Sequence, residues 1–318
     1  MKLVFFGTGA FAVPSLEALV ATRRHAIACV TQPDRPQGRG LQLVASPVHA
    51  AAVALGIPVE TPEELASLEA AWQRQPPDLG VVIDYGRLIR PGLLQVPRLG
   101  WLGVHPSLLP KYRGASPVAW TILSGDTETG VTIFRLNERM DAGDVLAQER
   151  VAIGPRETAP QLLDRLAIFG ARVLVRVVDR LAQGERWGAP QVEAEATEAP
   201  KLTKAMGRIR WSDPAPAIDR LVRAMNAWPG ASTTWRGQIV RIWESDVEDE
   251  AASSATPGAV AAVSPEGLVV HAGQGRVAIR ELQLEGRRRM RVREFLAGHP
   301  VTVGERLGSE QANVEGAT

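Results

Sequence analysis

Four short apolar runs, separated by helix-like stretches, constrain the first hundred residues more than anything else in the chain. They are Leu3-Val4-Phe5-Phe6, Ile27 to Thr31, Gly80-Val81-Val82-Ile83 and Trp101-Leu102-Gly103-Val104. A strand that is apolar on both faces has to lie inside a sheet covered on both sides, and a helix between two strands returns the chain so that the next runs parallel to the first. The intervening segments fit this. Ser15 to Ala21 places Leu16, Leu19 and Val20 on one face, and Ser46 to Leu55 reads as a helix closed by Gly56. Gly130 to Leu136 and Val145 to Ile153 add a strand pair beside the sheet. A long helix follows over about Gln161 to Leu181, its leucines and valines at helical spacing and Thr158 to Gln161 in capping-box form. The expectation is an α/β, Rossmann-like parallel-sheet domain.

The pattern then changes. Residues 188–200 are rich in Ala, Glu and Pro and lack periodicity, so they read as a linker. Ala217 to Asn226 makes one helix, stopped at Trp228-Pro229-Gly230. Beyond it, short alternating runs broken by glycine turns predict a small antiparallel, OB-like β-barrel. The expected organisation is therefore a catalytic domain over 1–187, a linker over 188–204, a barrel over 205–308 and a patternless tail over 309–318. A chain of 318 residues can bury two such cores. No apolar run is long enough to cross a bilayer, and Gly7 breaks the initial apolar run too early for a secretory signal. Cys29, the one cysteine, lies in an apolar strand and reads as core. A cytoplasmic, monomeric protein is expected.

The segment richest in chemistry is His105-Pro106-Ser107-Leu108-Leu109-Pro110-Lys111-Tyr112-Arg113-Gly114, with Asp141-Ala142-Gly143-Asp144 downstream. A His at a strand end and an Asp on a turn can handle protons together in acyl transfer, and a proline-bracketed apolar loop suits the wall of a flat ligand. Taken as an isolated His and Asp, they are also what ordinary loops carry. Gly7-Thr8-Gly9-Ala10-Phe11-Ala12 formally fits a dinucleotide fingerprint, but the nearest acid, Asp34, lies in a proline turn and not at a strand end. Thr31 to Gly40 is a loop bearing Arg35 and Arg39; it fits a plain surface loop and a phosphate-binding one equally. His25, His49, His271 and His299 have no metal-ligand spacing, so no metal is expected. The net charge of +1 decides nothing, yet Arg280, Arg287, Arg288, Arg289, Arg291 and Arg293 face only Glu281, Glu285 and Glu294 nearby.

Together these blocks resemble the methionyl-tRNA formyltransferase family along nearly the whole chain. Gln32 to Pro36 with Gly38-Arg39-Gly40 and Ser46-Pro47-Val48 is similar to the loop that family inserts into the tRNA acceptor stem. His105 to Gly114, Gly125-Asp126 and Gly130 to Gly143 resemble the shared formyltransferase core. Lys201 to Lys204, Trp228-Pro229-Gly230 and Glu285 to Met290 resemble its C-terminal domain. The resemblance implies 10-formyltetrahydrofolate as donor and the α-amino group of methionine on charged initiator tRNA as acceptor. It implies that His105 and Asp141 handle protons, that Ser107, Leu108, Leu109, Pro110, Tyr85 and Gly86 contact the folate, and that Arg35, Arg39, Arg287, Arg288 and Arg289 contact the tRNA.

Several positions depart from the family. The family's catalytic asparagine falls on Gly103, and losing one such oxyanion donor costs about 10²–10³ in rate. Asp84 stands where a small apolar residue is usual, where a carboxylate needs a partner or a raised pKa, and Gly9 replaces a proline. Three expectations stay open beside a working but slowed tRNA enzyme. One is a sugar N-formyltransferase. Another is a catalytically impaired tRNA- or folate-binding protein, in which Gly103→Asn restores chemistry. A nicotinamide dehydrogenase is the remotest.

Overall fold

The structure, a computed structural model, describes residues 1–37, 42–251 and 254–308. They form two compact units. The first takes in Met1–Pro117, Glu128–Ala152 and Leu162–Pro200; the second takes in Val118–Thr127, Ile153–Gln161 and the described residues from Lys201 on.

The first unit is built on a seven-stranded sheet. Its elements in chain order are β1 (Lys2–Gly7), α1 (Val13–Ala21), β2 (Ala26–Val30), a β3–β4 hairpin (Arg35–Gln37, Gln42–Val44), α2 (Pro47–Ala54), β5 (Val59–Glu60), α3 (Ala66–Arg74), β6 (Leu79–Ile83), α4 (Pro91–Leu94) and β7 (Trp101–His105). After α5 (Pro117–Ser124), which belongs to the second unit from Val118 on, come β8 (Glu128–Arg135), β9 (Val145–Ala152) and α6 (Ala159–Ala182). Strand order is β5-β2-β1-β6-β7-β8-β9, parallel as far as β7 and antiparallel from β7 to β9. Three of the apolar runs are its buried central strands β1, β6 and β7, as two-sided apolarity requires, while β2 beside them is buried only towards its carboxyl end.

One core cluster groups Val4, Phe6, Val30, Leu65, Leu68, Tyr85, Leu93 and Trp101. The Phe6 ring meets Tyr85, Trp101 and Trp72 edge-on at centroid distances of 4.9, 5.0 and 5.8 Å, the geometry that aromatic quadrupoles favour. Trp101 donates its indole N–H to the Leu93 carbonyl at 2.8 Å. Elsewhere in the unit, α6 buries Leu162, Leu166, Leu174, Val178 and Leu181, and Gly170 lets the helix approach Val104. At the α6 start, Gln161 Oε1 accepts from the Thr158 N–H and hydroxyl, each at 3.0 Å, the backward half of the expected capping box. Cys29 is fully buried, and desolvation pushes its thiol up to about 12.

Tyr85 gives a first prediction. Its ring is buried in this cluster, and its hydroxyl has no hydrogen-bond partner among the described residues. Tyr85→Phe removes a desolvated donor without breaking a bond, so urea denaturation is expected to show a gain of about 1 kcal/mol. A loss of stability would show that the hydroxyl is satisfied.

Residues 188–200, read from composition as a linker, are pinned to the first unit. Val145 and Ala189 exchange backbone hydrogen bonds at 2.8 and 2.9 Å, and Arg113 N–H donates to the Thr197 carbonyl at 2.8 Å. Periodicity is absent here because the partners are side chains and loop backbone, with no ladder to impose one.

The second unit holds α7 (Ala215–Ala224), β10 (Ala231–Trp235), β11 (Gln238–Asp249), β12 (Val260–Ser264), β13 (Gly267–His271), β14 (Arg276–Leu284), β15 (Met290–Arg291) and α8 (Val292–Gly298). Its antiparallel sheet runs β10-β11-β14-β13-β12, with β15 on β14. β11 is long and bulged against β14, which lets it bend. Residues 304–308 link the two edge strands: Val260 N–H donates to the Glu305 carbonyl, Leu307 N–H to Gly258 and Gly308 N–H to Thr234. The sheet thereby closes into the expected barrel through a segment that is not itself a strand.

Candidate active site

Strand order places a crevice before any side chain is considered. From β1 the chain winds outward through β2 to β5, then returns to β6 on the other side of β1. Ligands of such sheets bind beyond the carboxyl ends of the strands at this reversal. The residues there are Gly7 to Gly9 after β1, Asp84 to Gly86 after β6, and His105 at the end of β7. The turn is tied together: Thr8 and Gly9 N–H donate to the Asp84 carbonyl at 3.1 and 3.2 Å, and Thr8 Oγ1 and Gln32 Nε2 donate to the Tyr85 carbonyl at 3.0 and 2.5 Å.

His105 is buried, and its Nε2 lies 2.8 Å from the Tyr112 carbonyl. A carbonyl only accepts, so Nε2 carries a hydrogen and Nδ1 is the nitrogen whose proton can come and go. Nδ1 lies 3.7 Å from Asp141 Oδ2, within charge–charge reach but longer than a hydrogen bond. Asp141 adopts φ 51° and its Oδ2 accepts from Gly114 N–H at 2.9 Å, so the carboxylate is fixed in direction. The two residues that sequence paired across 36 positions are brought together.

Side chains distant in sequence hold this arrangement. Gln191 Nε2 donates to the carbonyls of Asp141 and Gly143, both at 2.8 Å, and its Oε1 accepts from the Arg113 guanidinium. Thr197 Oγ1 accepts from Tyr112 N–H at 2.8 Å. Arg113 and Arg139 both pair with Glu193 and hold its carboxyl below the usual range. Thr132 Oγ1 donates to the Ser107 carbonyl at 2.7 Å and accepts from Leu109 N–H at 3.1 Å, while Gln148 Nε2 donates to the Leu109 carbonyl at 2.7 Å. Gln191, Thr197 and Gln148 did not stand out in sequence, because polar residues in strands and loops carry no pattern, and Thr132 was visible only as part of the Gly130 to Gly143 block.

These bonds sort the expected folate residues. Ser107 is fully buried and donates its hydroxyl to the Lys111 carbonyl at 2.6 Å, and Leu109 is buried. Leu108 and Pro110 are half-buried, and Gly86 is exposed at φ 76°. Tyr85 offers the crevice its backbone, since its ring is core.

The two departures have structural counterparts. A Cβ on Gly103 would lie 2.6 Å from Phe134 Cζ and 3.1 Å from Leu136 Cδ1, so the Phe134 ring fills the space of a residue-103 side chain. Gly103 and Phe134 are cross-strand partners on β7 and β8. A Cβ on Gly9 would lie 2.6 Å from Asp84 Cγ, so the Asp84 carboxylate occupies that space. Asp84 has no side-chain hydrogen bond or ion pair among the described residues; its side chain is exposed to the crevice, and partial desolvation by the crevice walls pushes its carboxyl above the usual range. Ionisation of Asp84 therefore works against the folded state. The penalty is absent below the unfolded pKa of about 4 and complete above the folded one. Asp84→Asn is expected to raise Tm at pH 7 and leave it unchanged at about pH 3; equal shifts at both would show that charge is not the cause.

In the first unit, Arg35 is exposed and its Nη2 donates to Gln32 Oε1 at 2.6 Å; Arg39 lies outside the described residues. Asp34, the weak point of the dinucleotide reading, lies 2.8 Å from His49 Nδ1. In the second unit, the turn between β14 and β15 exposes Arg287, Arg288 and Arg289. Arg289 pairs with Glu281 at 2.5 Å and Arg288 with Glu294 at 3.1 Å, while Arg287 has no carboxylate partner among the described residues. Arg280 and Arg291 pair with Asp246 and Glu244, two carboxylates that Arg156 shares. Among the described residues no three His, Cys, Asp or Glu gather as a metal site, and no helix is long and apolar enough to cross a membrane.

A parallel-sheet crevice ending in a His–Asp pair is suited to proton handling in group transfer, and the chain belongs to the formyl transferase family: residues 1–178 match the formyl transferase domain and residues 201–300 the formyl transferase C-terminal domain. Within it, the chain is 43% identical over 310 residues to the methionyl-tRNA formyltransferase of Pelotomaculum thermopropionicum, covering 97% of this chain and 99% of that one. It is 44% identical over 312 residues to the methionyl-tRNA formyltransferase of Solibacter usitatus, with the same coverage. Solved structures share the fold at lower identity. A sugar 3N-formyl transferase, WlaRD, superposes with a TM-score of 0.66 at 16% identity, covering 91% of this chain and 99% of that one. HypX from Aquifex aeolicus, solved with tetrahydrofolic acid, gives 0.65 at 19%, covering 96% of this chain; the match spans about half of HypX, 48%.

Proposed function

We propose that this chain transfers a formyl group from 10-formyltetrahydrofolate to the α-amino group of methionine esterified to initiator tRNA, for the start of translation in the cytoplasm. The observation that carries the reading is the His105–Asp141 pair at the end of β7, in a chain related end to end to methionyl-tRNA formyltransferases. The amine attacks the formyl carbon on N10, and a tetrahedral oxyanion forms. The C–N10 bond then breaks with its electron pair on N10, which gains a proton as the amine loses one. His105 Nδ1 is the exchangeable site: protonated, it donates to the oxyanion, and as free base it takes the amine's proton. Asp141 steadies the imidazolium.

Leu108 and Pro110, with the backbone of Tyr85 and Gly86, form the folate wall, while Ser107 and Leu109 hold the loop from inside. Arg35 and Arg39 meet the acceptor end. Arg287, Arg288 and Arg289 meet phosphates, so binding weakens with salt. Residues 1–187 carry the chemistry and the acceptor-end contacts, and 205–308 the contacts to tRNA phosphates, in a monomer. The purified protein, offered methionyl initiator tRNA and a nucleotide-linked amino sugar with the same donor, is expected to formylate the tRNA alone. Formylation of the sugar would contradict the assignment.

A further inference from the structure

The ionisable group at the crevice that proton transfer leaves unused is Asp84. β6 pairs with β7 through Val82 and Gly103, and Asp84 and His105 each lie two residues beyond that pair, at the carboxyl ends of adjacent strands. Adjacent parallel strands lie about 4.8 Å apart, so the two residues stand at neighbouring positions on the sheet's carboxyl edge. The carboxylate projects over Gly9, into space that any larger residue there would fill. It carries no internal partner among the described residues, although its backbone carbonyl is tied to Thr8 and Gly9. An exposed carboxylate standing in a ligand crevice, with no partner for it among the described residues, has a cationic or N–H-bearing ligand as its natural complement. The acceptor amine is that group in this reaction, and it must reach the formyl carbon within range of His105.

Resting on the formyl-transfer reading, we propose that Asp84 binds the acceptor's α-amino group, accepting a hydrogen bond from it and holding its nitrogen beside His105. As ammonium or as free amine the acceptor has an N–H to give, so the contact survives the deprotonation that precedes attack. A hydroxyl can also donate to the carboxylate but never carries the ammonium's charge, so Asp84 selects an amine over an isosteric hydroxyl through the charged form. Gly9 and Asp84 act as a matched pair, the one making room for the other.

Asp84→Asn is the suitable variant. It keeps the size, and Asn tolerates φ 45°, where Ala would be strained. The probes are methionyl-tRNA and the same tRNA esterified with the 2-hydroxy analogue of methionine. The unsubstituted protein is expected to bind the amine form about tenfold more tightly, and Asp84→Asn to lose that preference. In steady state, the variant's KM for methionyl-tRNA should rise about tenfold with the KM for the folate donor unchanged. Equal affinity of the unsubstituted protein for both tRNAs, or a preference retained by Asp84→Asn, would overturn the proposal. Failure of formyl transfer in the unsubstituted protein while the binding preference holds would instead count against the transfer reading alone.

Discussion

Replacing His105 with Gln is expected to lower kcat for formyl transfer by about 10²–10⁴ while the KM for methionyl-tRNA changes little. The structure explains why the loss should be chemical. A glutamine amide can still donate to the Tyr112 carbonyl, which now orients the ring through Nε2, so the loop keeps its anchor. What disappears is Nδ1, the atom that faces Asp141 at 3.7 Å and exchanges a proton. Asp141→Asn should cost less than His105→Gln, because the amide keeps an oxygen for Gly114 N–H and removes only the charge beside the imidazolium. Both variants should keep the wild-type thermal transition to within a few degrees. A His105→Gln enzyme with normal kcat would remove His105 from the chemistry.

The second large effect concerns Gly103. Restoring an asparagine there by itself is expected to fail. Its Cβ would run into the buried Phe134 ring, and overpacking of this kind costs about 1–3 kcal/mol. The amide would also be deflected from the position an oxyanion donor needs. Pairing Gly103→Asn with Phe134→Leu frees that space, and the double variant is expected to exceed the unsubstituted rate by up to about 10², the worth of a regained oxyanion donor. Denaturation midpoints and kcat for the two singles and the double form a cycle. If Gly103→Asn alone were stable and fast, Phe134 would not be what occupies the site.

That pair shows where sequence reasoning stops. The departure of Gly103 from the family is visible in one dimension, and from it a single substitution looks like a sufficient repair. The ring that fills the gap comes from β8, on the neighbouring strand, and is invisible until the register is known. Asp84 and Gly9 are the same case across a wider separation: each departure is legible, their steric complementarity is not. The strands β1, β2, β6 and β7 and the helix α6 were plain because burial imposes its period on the residue types. The β3–β4 hairpin, β5, α3, α4, α5 and α8 were not, being short or half-exposed with little periodicity to read. The clamp from Gln191 and Thr197 lay hidden in a stretch whose composition reads as linker, since its bonds are made through single side chains. Tyr85 was placed against the ligand by resemblance, and only packing shows that its ring belongs to the core while its carbonyl serves the turn.

The most direct test of the account is single-turnover formylation of methionyl initiator tRNA by the purified protein with 10-formyltetrahydrofolate, following formyl-methionyl ester against time and pH. The account predicts transfer at a measurable rate without an asparagine at position 103, carried by His105 and abolished or slowed at least a hundredfold in His105→Gln. No formyl ester from the unsubstituted protein, with His105→Gln indistinguishable from it, would contradict the account.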